Sequence, residues 1–199
     1  MRYFEDFQIG QRIAFGRYTV TQSEIIEFAK RYDPQVFHID ETHAVTAELG
    51  GIMASGWHTT AIFMRLAVDA YLGDAAVLTS PGVDELRWLA PVRVGNIISG
   101  EAVVEQARLS VSKPDRGIVT TAVHLWNEDK IEVLRMTTHA FLRVGPHHLR
   151  GARPEGSGCY SASPYLTAVA SISTRASSSM SAETSTTDIA GKCLPMISR

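Results

Sequence analysis

Four consecutive β-rich segments between Gly82 and Val144 constrain the fold more than any other feature of the sequence. Their apolar residues alternate with polar ones or form short β-branched runs, which is typical of strands. The segments are VDELRWLAPV, NIISGEAVVEQARL, GIVTTAVHLWNE and IEVLRMTTHAFLRV, and turn residues such as Val94-Gly95-Asn96 separate them. Because short turns connect neighbouring strands that run in opposite directions, this region predicts an antiparallel sheet.

One further strand and a helix precede these segments. Residues 13–20 alternate loosely between apolar and polar side chains and predict a strand. Thr21 or Ser23 can cap the helix that follows, because Thr21 and Glu24 have the spacing of a capping box. Pro34 disfavours helical backbone at the residue before it, so we expect the helix to end there.

A second helix is expected to begin between Gly56 and His58, where a long run of helix-forming apolar residues starts. Apolar side chains cover most of its circumference and only Arg65 and Asp69 interrupt them, so this helix is expected to be buried. Gly73 stands where a C-cap would stand. One long buried helix and five antiparallel strands predict an α+β domain in which the sheet wraps around the helix.

The composition excludes several classes of protein. Of the 199 residues, 45% are apolar and 20% are charged, which is enough apolar mass for one sizeable core. The 19 basic and 21 acidic residues leave a net charge of -2, which does not favour a nucleic-acid partner. No apolar run reaches the roughly 18 to 20 residues that span a bilayer, and the opening MRYFEDFQIG lacks the pattern of a signal peptide. We expect a cytoplasmic protein with no membrane partner.

The composition changes near Pro146. Beyond it Ser, Thr, Ala and Gly dominate, and large side chains are sparse. Such a segment buries too little apolar area to offset an ordering entropy of about 1 to 2 kcal/mol per residue. We therefore predict one domain over residues 1–146 and a disordered tail over 147–199. The alternative is a short helix over 165–172 that docks on a partner.

Asp33 and His38 are the first candidates for chemistry. A carboxylate and an imidazole stand five positions apart just beyond a predicted helix, where irregular backbone lets both point at one spot. A pair of this kind can hold one water molecule and divide acid and base work between its members. In the alternative interpretation, Asp33 caps the following turn and His38 is a packed, hydrogen-bonded histidine. The residues themselves leave both interpretations open.

A glycine-punctuated loop leads into the second helix. Gly50, Gly51 and Gly56 allow the backbone to approach a ligand closely. Free N–H groups at a helix N-terminus favour an oxygen that acquires negative charge, as in an oxyanion hole. The alternative is a plain loop with Ser55 as the helix N-cap. We interpret His58 as a residue of the first helical turn rather than as a catalyst.

No metal site is predicted. Cys159 and Cys193 both lie in the last quarter of the chain, without the spacing of a redox or zinc site. The histidines of the N-terminal part lack HxxxH and HExxH spacing, and they are His38, His43 and His58. Four basic residues are candidates for phosphate contacts, and the sequence does not rank them: Arg65, Arg87, Arg93 and Lys113.

Three runs taken together resemble a known family. In chain order they are YDPQVFHIDETHA, GGIMASGWHTTAIFMRL and ELRWLAPVRVGN, and they are similar to segments of the MaoC-like dehydratases, relatives of the (R)-specific enoyl-CoA hydratases. The resemblance covers about residues 5 to 144, and its most specific part is Asp-x4-His followed by Ile-Asp. It implies the hot-dog fold, in which an antiparallel sheet wraps around a long central helix.

The resemblance also implies roles for individual residues. Asp33 and His38 match the catalytic pair of that family. A backbone N–H at the start of the central helix polarises the thioester carbonyl there, a role that falls on Gly56 or its neighbour in this chain. Many hydratases have a His-Gly pair where this chain has Ser55-Gly56 followed by Trp57, so we expect an acyl pocket of different shape.

The implied reaction is the addition of water across the 2,3 double bond of an enoyl thioester of the acyl-CoA type, or the reverse. No metal or other cofactor is expected, because the thioester supplies the electron sink. Relatives of this fold dimerise by joining their sheets, so we expect at least a homodimer. Two alternatives remain. One is a hot-dog acyl-CoA thioesterase, which needs no histidine partner, and the other is a non-catalytic acyl-thioester binding protein.

Overall fold

An antiparallel sheet of six strands organises residues 1–149, the part of the chain that the computed structural model describes. The strands are β1 (Arg12–Ala14), β2 (Tyr18–Thr19), β3 (Val77–Trp88), β4 (Ile97–Leu109), β5 (Arg116–Trp126) and β6 (Glu132–Arg143). Their order across the sheet is β1-β4-β5-β6-β3, and β2 also pairs with β4. All of these pairings are antiparallel, which confirms the sheet predicted from the sequence.

The helices lie mostly before the long strands. They are α1 (Gln22–Tyr32), α2 (Val36–Ile39), α3 (Ala44–Glu48), α4 (Gly56–Ala70) and α5 (Pro146–Leu149), with short 3-10 turns at Phe4–Asp6 and Leu72–Asp74. Nothing in the hydrophobic pattern predicts α2 and α3, because helices of four and five residues are too short to show a helical period. None of the helices within residues 1–149 is long and apolar enough to cross a bilayer.

The strand predicted over residues 13–20 is interrupted. Ala14 pairs with Glu101 in β1, and Tyr18 pairs with Ile98 in β2. From Ala14 to Tyr18 the chain advances by four residues, whereas the paired part of β4 advances by only three. The segment between β1 and β2 therefore has one extra residue, as in a β-bulge. The Phe15 amide still donates to the Gly100 carbonyl at 2.7 Å, which keeps the interrupted segment against β4.

The first predicted helix is confirmed as α1. The Thr21 hydroxyl oxygen accepts a hydrogen bond from the Glu24 amide at 3.3 Å, so Thr21 is the N-cap. The helix ends at Tyr32, and Asp33 is its C-cap. This end point places Asp33 at the junction between α1 and α2.

The predicted central helix is confirmed as α4, but its C-cap was placed wrongly. The helix ends at Ala70 with Tyr71 as C-cap, and Gly73 lies in the 3-10 turn that follows. A Cβ atom at Gly73 would lie 2.8 Å from the Val68 carbonyl oxygen, so this glycine serves a close backbone approach rather than the cap.

The expectation that α4 is buried on most sides is wrong for the single chain. One face packs into the core through Ile62, Phe63, Leu66 and Ala67. The opposite face is exposed, with Trp57, Ala61, Met64 and Val68 on it. One sheet can cover only one side of a helix, so the remaining apolar stripe of α4 stays open.

The predicted tail over 147–199 lies outside the described residues beyond Leu149. Residues 146–149 form α5. The alternative helix over 165–172, Cys159 and Cys193 also lie outside the described part. The domain boundary at Pro146 therefore stays a prediction.

Candidate active site

Asp33 and His38 lie side by side although Pro34 and three other residues separate them in the sequence. Asp33 leaves the helix at φ −149° and ψ 69°, because Pro34 disfavours another helical residue before it. The chain then turns into α2, which carries His38. The Nε2 atom of His38 lies 3.4 Å from Oδ2 of Asp33. The structure thus brings together the two side chains that the sequence singles out.

A main-chain contact fixes the orientation of His38. Its side chain is buried, with an exposure of 5%, and its Nδ1 atom lies 2.7 Å from the Met53 carbonyl oxygen. Because a carbonyl oxygen only accepts, Nδ1 must carry the proton and donate it. In the neutral ring Nε2 then has a free lone pair, which faces the Asp33 carboxylate. Two acceptors arranged in this way can each take one hydrogen from a single water molecule.

The neighbours of Asp33 favour its ionised form. The Ser55 hydroxyl and the Gln35 side chain lower the pKa of Asp33. Gln35 donates through Nε2 to Oδ1 of Asp33 at 2.8 Å. Asp33 is therefore negative at neutral pH, as a carboxylate that accepts a proton from water must be.

Ser55 connects the pair to the central helix. Its side-chain oxygen accepts a hydrogen bond from the Trp57 amide at 3.2 Å, which makes Ser55 the N-cap of α4. Ser55 is fully buried. The same hydroxyl group therefore caps α4 and lowers the pKa of the Asp33 carboxylate. His58 lies in the first turn of α4, as predicted.

Gly56 begins α4 beneath an indole ring. A Cβ atom at this position would overlap the Trp88 ring, so no larger residue fits without moving the ring. The Trp88 Nε1 atom donates to Oγ1 of Thr60 at 3.2 Å, and its ring meets the Trp57 ring edge-on at 5.3 Å between centroids. No acceptor among residues 1–149 takes the Gly56 amide, which leaves this N–H available for a ligand oxygen.

A cavity of about 290 Å³ lies where these groups meet. His38 and Gly56 line it on one side. Its apolar walls come from Met53, Trp88 and the segment 89–92 that follows β3. The cavity therefore places His38, an open helix N-terminus and an apolar surface around one space, and Asp33 adjoins it only through its neighbour His38. Trp57 lies outside it on the surface and is 58% exposed.

Arg93, one of the four basic residues that are candidates for phosphate contacts, instead binds the backbone of the glycine loop. The Arg93 guanidinium donates to the carbonyl oxygens of Leu49, Gly50 and Gly51 at 2.6, 3.0 and 3.0 Å. Gly50 and Gly51 adopt φ values of +80° and +102°, which other residues reach only with strain. Arg93 thus holds the glycine loop in place rather than presenting a free charge. Arg65 forms an ion pair with Asp69 at 2.9 Å.

Several contributors to the site are not visible in the sequence patterns. Gln35 stands inside the Asp-x4-His run, and its amide could have been noticed as a donor to Asp33. The Met53 carbonyl and the Trp88 ring carry no local signal, because they reach the site only through the fold. Among residues 1–149, no three His, Cys, Asp or Glu side chains converge as a metal site would require.

Comparisons with known proteins give consistent results. The model of the MaoC like domain family matches residues 6–127. The uncharacterized protein YdeM of Bacillus subtilis is 27% identical over 130 residues, which are 65% of this chain and 90% of that protein. The crystal structure of the MaoC-like dehydratase from Rhodospirillum rubrum has 38% sequence identity and a TM-score of 0.68, over 73% of this chain and 99% of that one. The (R)-hydratase from A. caviae has 20% identity and a TM-score of 0.56, over 68% of this chain and 97% of that one.

Proposed function

Because this chain belongs to the MaoC-like domain family, we propose that it adds water across the 2,3 double bond of an enoyl thioester of the acyl-CoA type, or removes water in the reverse direction. The hot-dog fold that the resemblance implies is confirmed by the structural relatives. The observation that carries the proposal is the pair of acceptors, Asp33 Oδ2 and His38 Nε2, which lie 3.4 Å apart. His38 also lines the cavity that would receive the substrate.

The pair is suited to activating one water molecule. In the proposed reaction the water oxygen bonds to C3 of the substrate while one of its protons passes to Asp33 or His38. The pair then returns a proton to C2, so that one water is added and no electrons are exchanged with a cofactor. The Met53 carbonyl keeps the proton on Nδ1 of His38 and leaves Nε2 free for this transfer.

The start of α4 is suited to stabilising the intermediate. Attack at C3 moves negative charge to the thioester oxygen, and the Gly56 amide lies in the same cavity at the N-terminus of a helix of 15 residues. In known oxyanion holes one such donor contributes about 3 to 4 kcal/mol to transition-state stabilisation. Ser55 supports this role by capping the helix, and Trp57 and Trp88 shape the surface around the cavity.

The test is an assay of the purified full-length chain with crotonyl-CoA, in which loss of enoyl absorbance and release of free thiol are followed together. A hydratase lowers the absorbance without releasing thiol. Loss of absorbance accompanied by release of an equal amount of thiol would identify a thioesterase instead, because hydrolysis also removes the conjugated thioester. Binding of crotonyl-CoA without either change would identify a non-catalytic thioester-binding protein, and it would refute the proposed function.

The same proposal includes a homodimer. Strand β3 has 12 residues, and among residues 1–149 it pairs with β6 alone, so one long edge is open. Val83 and Trp88 on this strand and Met64 and Val68 on α4 are between 41% and 49% exposed. An open edge and an apolar stripe next to each other are the features that a second copy would cover.

We also propose that the protein is cytoplasmic and that residues 147–199 are dispensable for stability and activity. Both proposals rest on the composition and patterns of the sequence.

A further inference from the structure

A second pair, half-buried Glu24 on α1 and buried His58 on α4, lies near the catalytic candidates and takes no part in the proposed reaction. His58 is 6% exposed, and its Nε2 atom lies 3.4 Å from Oε1 of Glu24. The His58 ring also stacks on Phe28, with centroids 4.8 Å apart and planes inclined by 13°. His58 therefore contacts α1 at two successive helical turns.

Packing two helices through this pair costs free energy of desolvation. Oε1 of Glu24 and Nδ1 of His58 are buried and have no hydrogen-bond partner among residues 1–149. Burial lowers the pKa of His58 against the opposing effect of Glu24, and the neighbouring His38 lowers it further. His58 is therefore neutral at neutral pH. Two apolar side chains would join the helices at a smaller cost in desolvation free energy. The polar pair is therefore better explained by a role in positioning the two helices.

We propose that Glu24 and His58 form a positioning pair that holds α1 against the start of α4 and thereby sets the place of the Asp33 carboxylate. Side chains at two places along α1 lie near the start of α4. Glu24 and Phe28, in the first and second turns of α1, contact His58, and the hydroxyl of Ser55, the N-cap of α4, lowers the pKa of Asp33 at the end of α1. Without the contacts to His58, α1 can pivot and carry Asp33 away from Ser55 and His38. A displacement of about 1 Å is enough to reduce turnover by about 100-fold.

The first test does not depend on any enzymatic activity. The carboxyl group of Asp33 is titrated by carbon-13 NMR in the full-length chain, in Glu24→Ala and in the matched control Glu27→Ala. Glu27 is exposed on the same helix, so both variants remove one negative charge from α1. Loss of that charge alone lowers the pKa of Asp33. Displacement from Ser55 raises the pKa toward the ordinary value of about 3.9, and we expect this rise in Glu24→Ala only.

A second test rests on the proposed function and uses crotonyl-CoA hydration. We expect Glu24→Ala and His58→Phe each to lower kcat by at least about tenfold, with KM changed by less than about threefold. The double variant should be no slower than the slower single one, because both changes remove one contact. His58→Gln keeps a polar group at a similar reach and should recover part of kcat, and Glu27→Ala should match the unchanged chain.

Circular dichroism and melting curves ensure that only folded variants are compared. If the unchanged chain does not hydrate crotonyl-CoA, the proposed function fails while the titration still decides on the positioning pair. Equal Asp33 titrations in Glu24→Ala and Glu27→Ala would overturn the inference. So would a kcat that stays unchanged per folded molecule in both Glu24→Ala and His58→Phe.

Discussion

Replacement of Asp33 by asparagine changes one acceptor into a group that can present a donor, with almost no change in volume. The amide oxygen of the new side chain can still accept from Gln35, which now donates to Asp33 Oδ1 at 2.8 Å. The amide NH2 then occupies the Oδ2 position that faces His38 Nε2 at 3.4 Å and can donate to it directly. A water molecule at this site then has no carboxylate that accepts its hydrogen bond or its proton. Asp33→Asn therefore prevents activation of water, while the hydrogen bond from Gln35 persists.

The expected loss follows from this geometry. General acid–base catalysis contributes about 100-fold to 10,000-fold, so hydration turnover should fall at least about 100-fold, and His38→Ala should have an effect of similar size. The matched control is Asp40→Asn, which removes the same charge from an exposed position two residues beyond His38. We expect that variant to stay within about threefold of the unchanged chain. Turnover close to normal in Asp33→Asn or in His38→Ala would remove the pair from the mechanism.

The same variant has a signature in the pH dependence of stability. Since the pKa of Asp33 is lowered in the folded chain, its contribution to stability is present above the unfolded-state pKa of about 3.9 and is lost as the pH falls through the folded-state pKa. The difference in melting temperature between Asp33→Asn and the unchanged chain should therefore be largest above about pH 4 and shrink below it. A difference that grows on acidification would contradict the assignment of Ser55 and Gln35 as donors to the ionised carboxylate.

Three further predictions concern the pocket, the assembly and the tail. Gly56→Ala should lower hydration turnover at least about tenfold and destabilise the fold by about 1 to 3 kcal/mol, because its Cβ would overlap the Trp88 ring. Activity assays measure the first effect and urea unfolding the second. Normal turnover would contradict the close contact between Gly56 and Trp88. Light scattering at micromolar concentration should give a dimer, and Met64→Lys on the exposed face of α4 should shift it toward monomer, whereas a monomeric unchanged chain would refute the dimer. A chain ending at Pro146 should lose less than about 1 kcal/mol of stability and no turnover, and a large drop in melting temperature would show that the domain boundary is wrong.

Much of the secondary structure follows from short-range patterns in the sequence. Along β5, every second residue from Gly117 to Leu125 is buried, which is the two-residue period of the strand that this β-rich run predicts. The N-cap of α1 also follows from its sequence, since Thr21 and its partner Glu24 are three residues apart. Such features depend on neighbours within about one helical turn. For the same reason Asp33 and His38 could be selected together, because a short irregular segment is enough to bring them near each other.

Other features depend on which distant residues the sheet brings together. The break between β1 and β2 depends on the register against β4, and the need for glycine at position 56 arises only because β3 delivers Trp88 over it. The fixed orientation of His38 depends on the Met53 carbonyl, a group that every residue type offers and that no sequence pattern marks. Local patterns report the preferences of neighbouring residues. The packing of the whole domain decides which side chain meets which backbone atom across tens of residues, and at this site those contacts determine which atom of His38 is free to act.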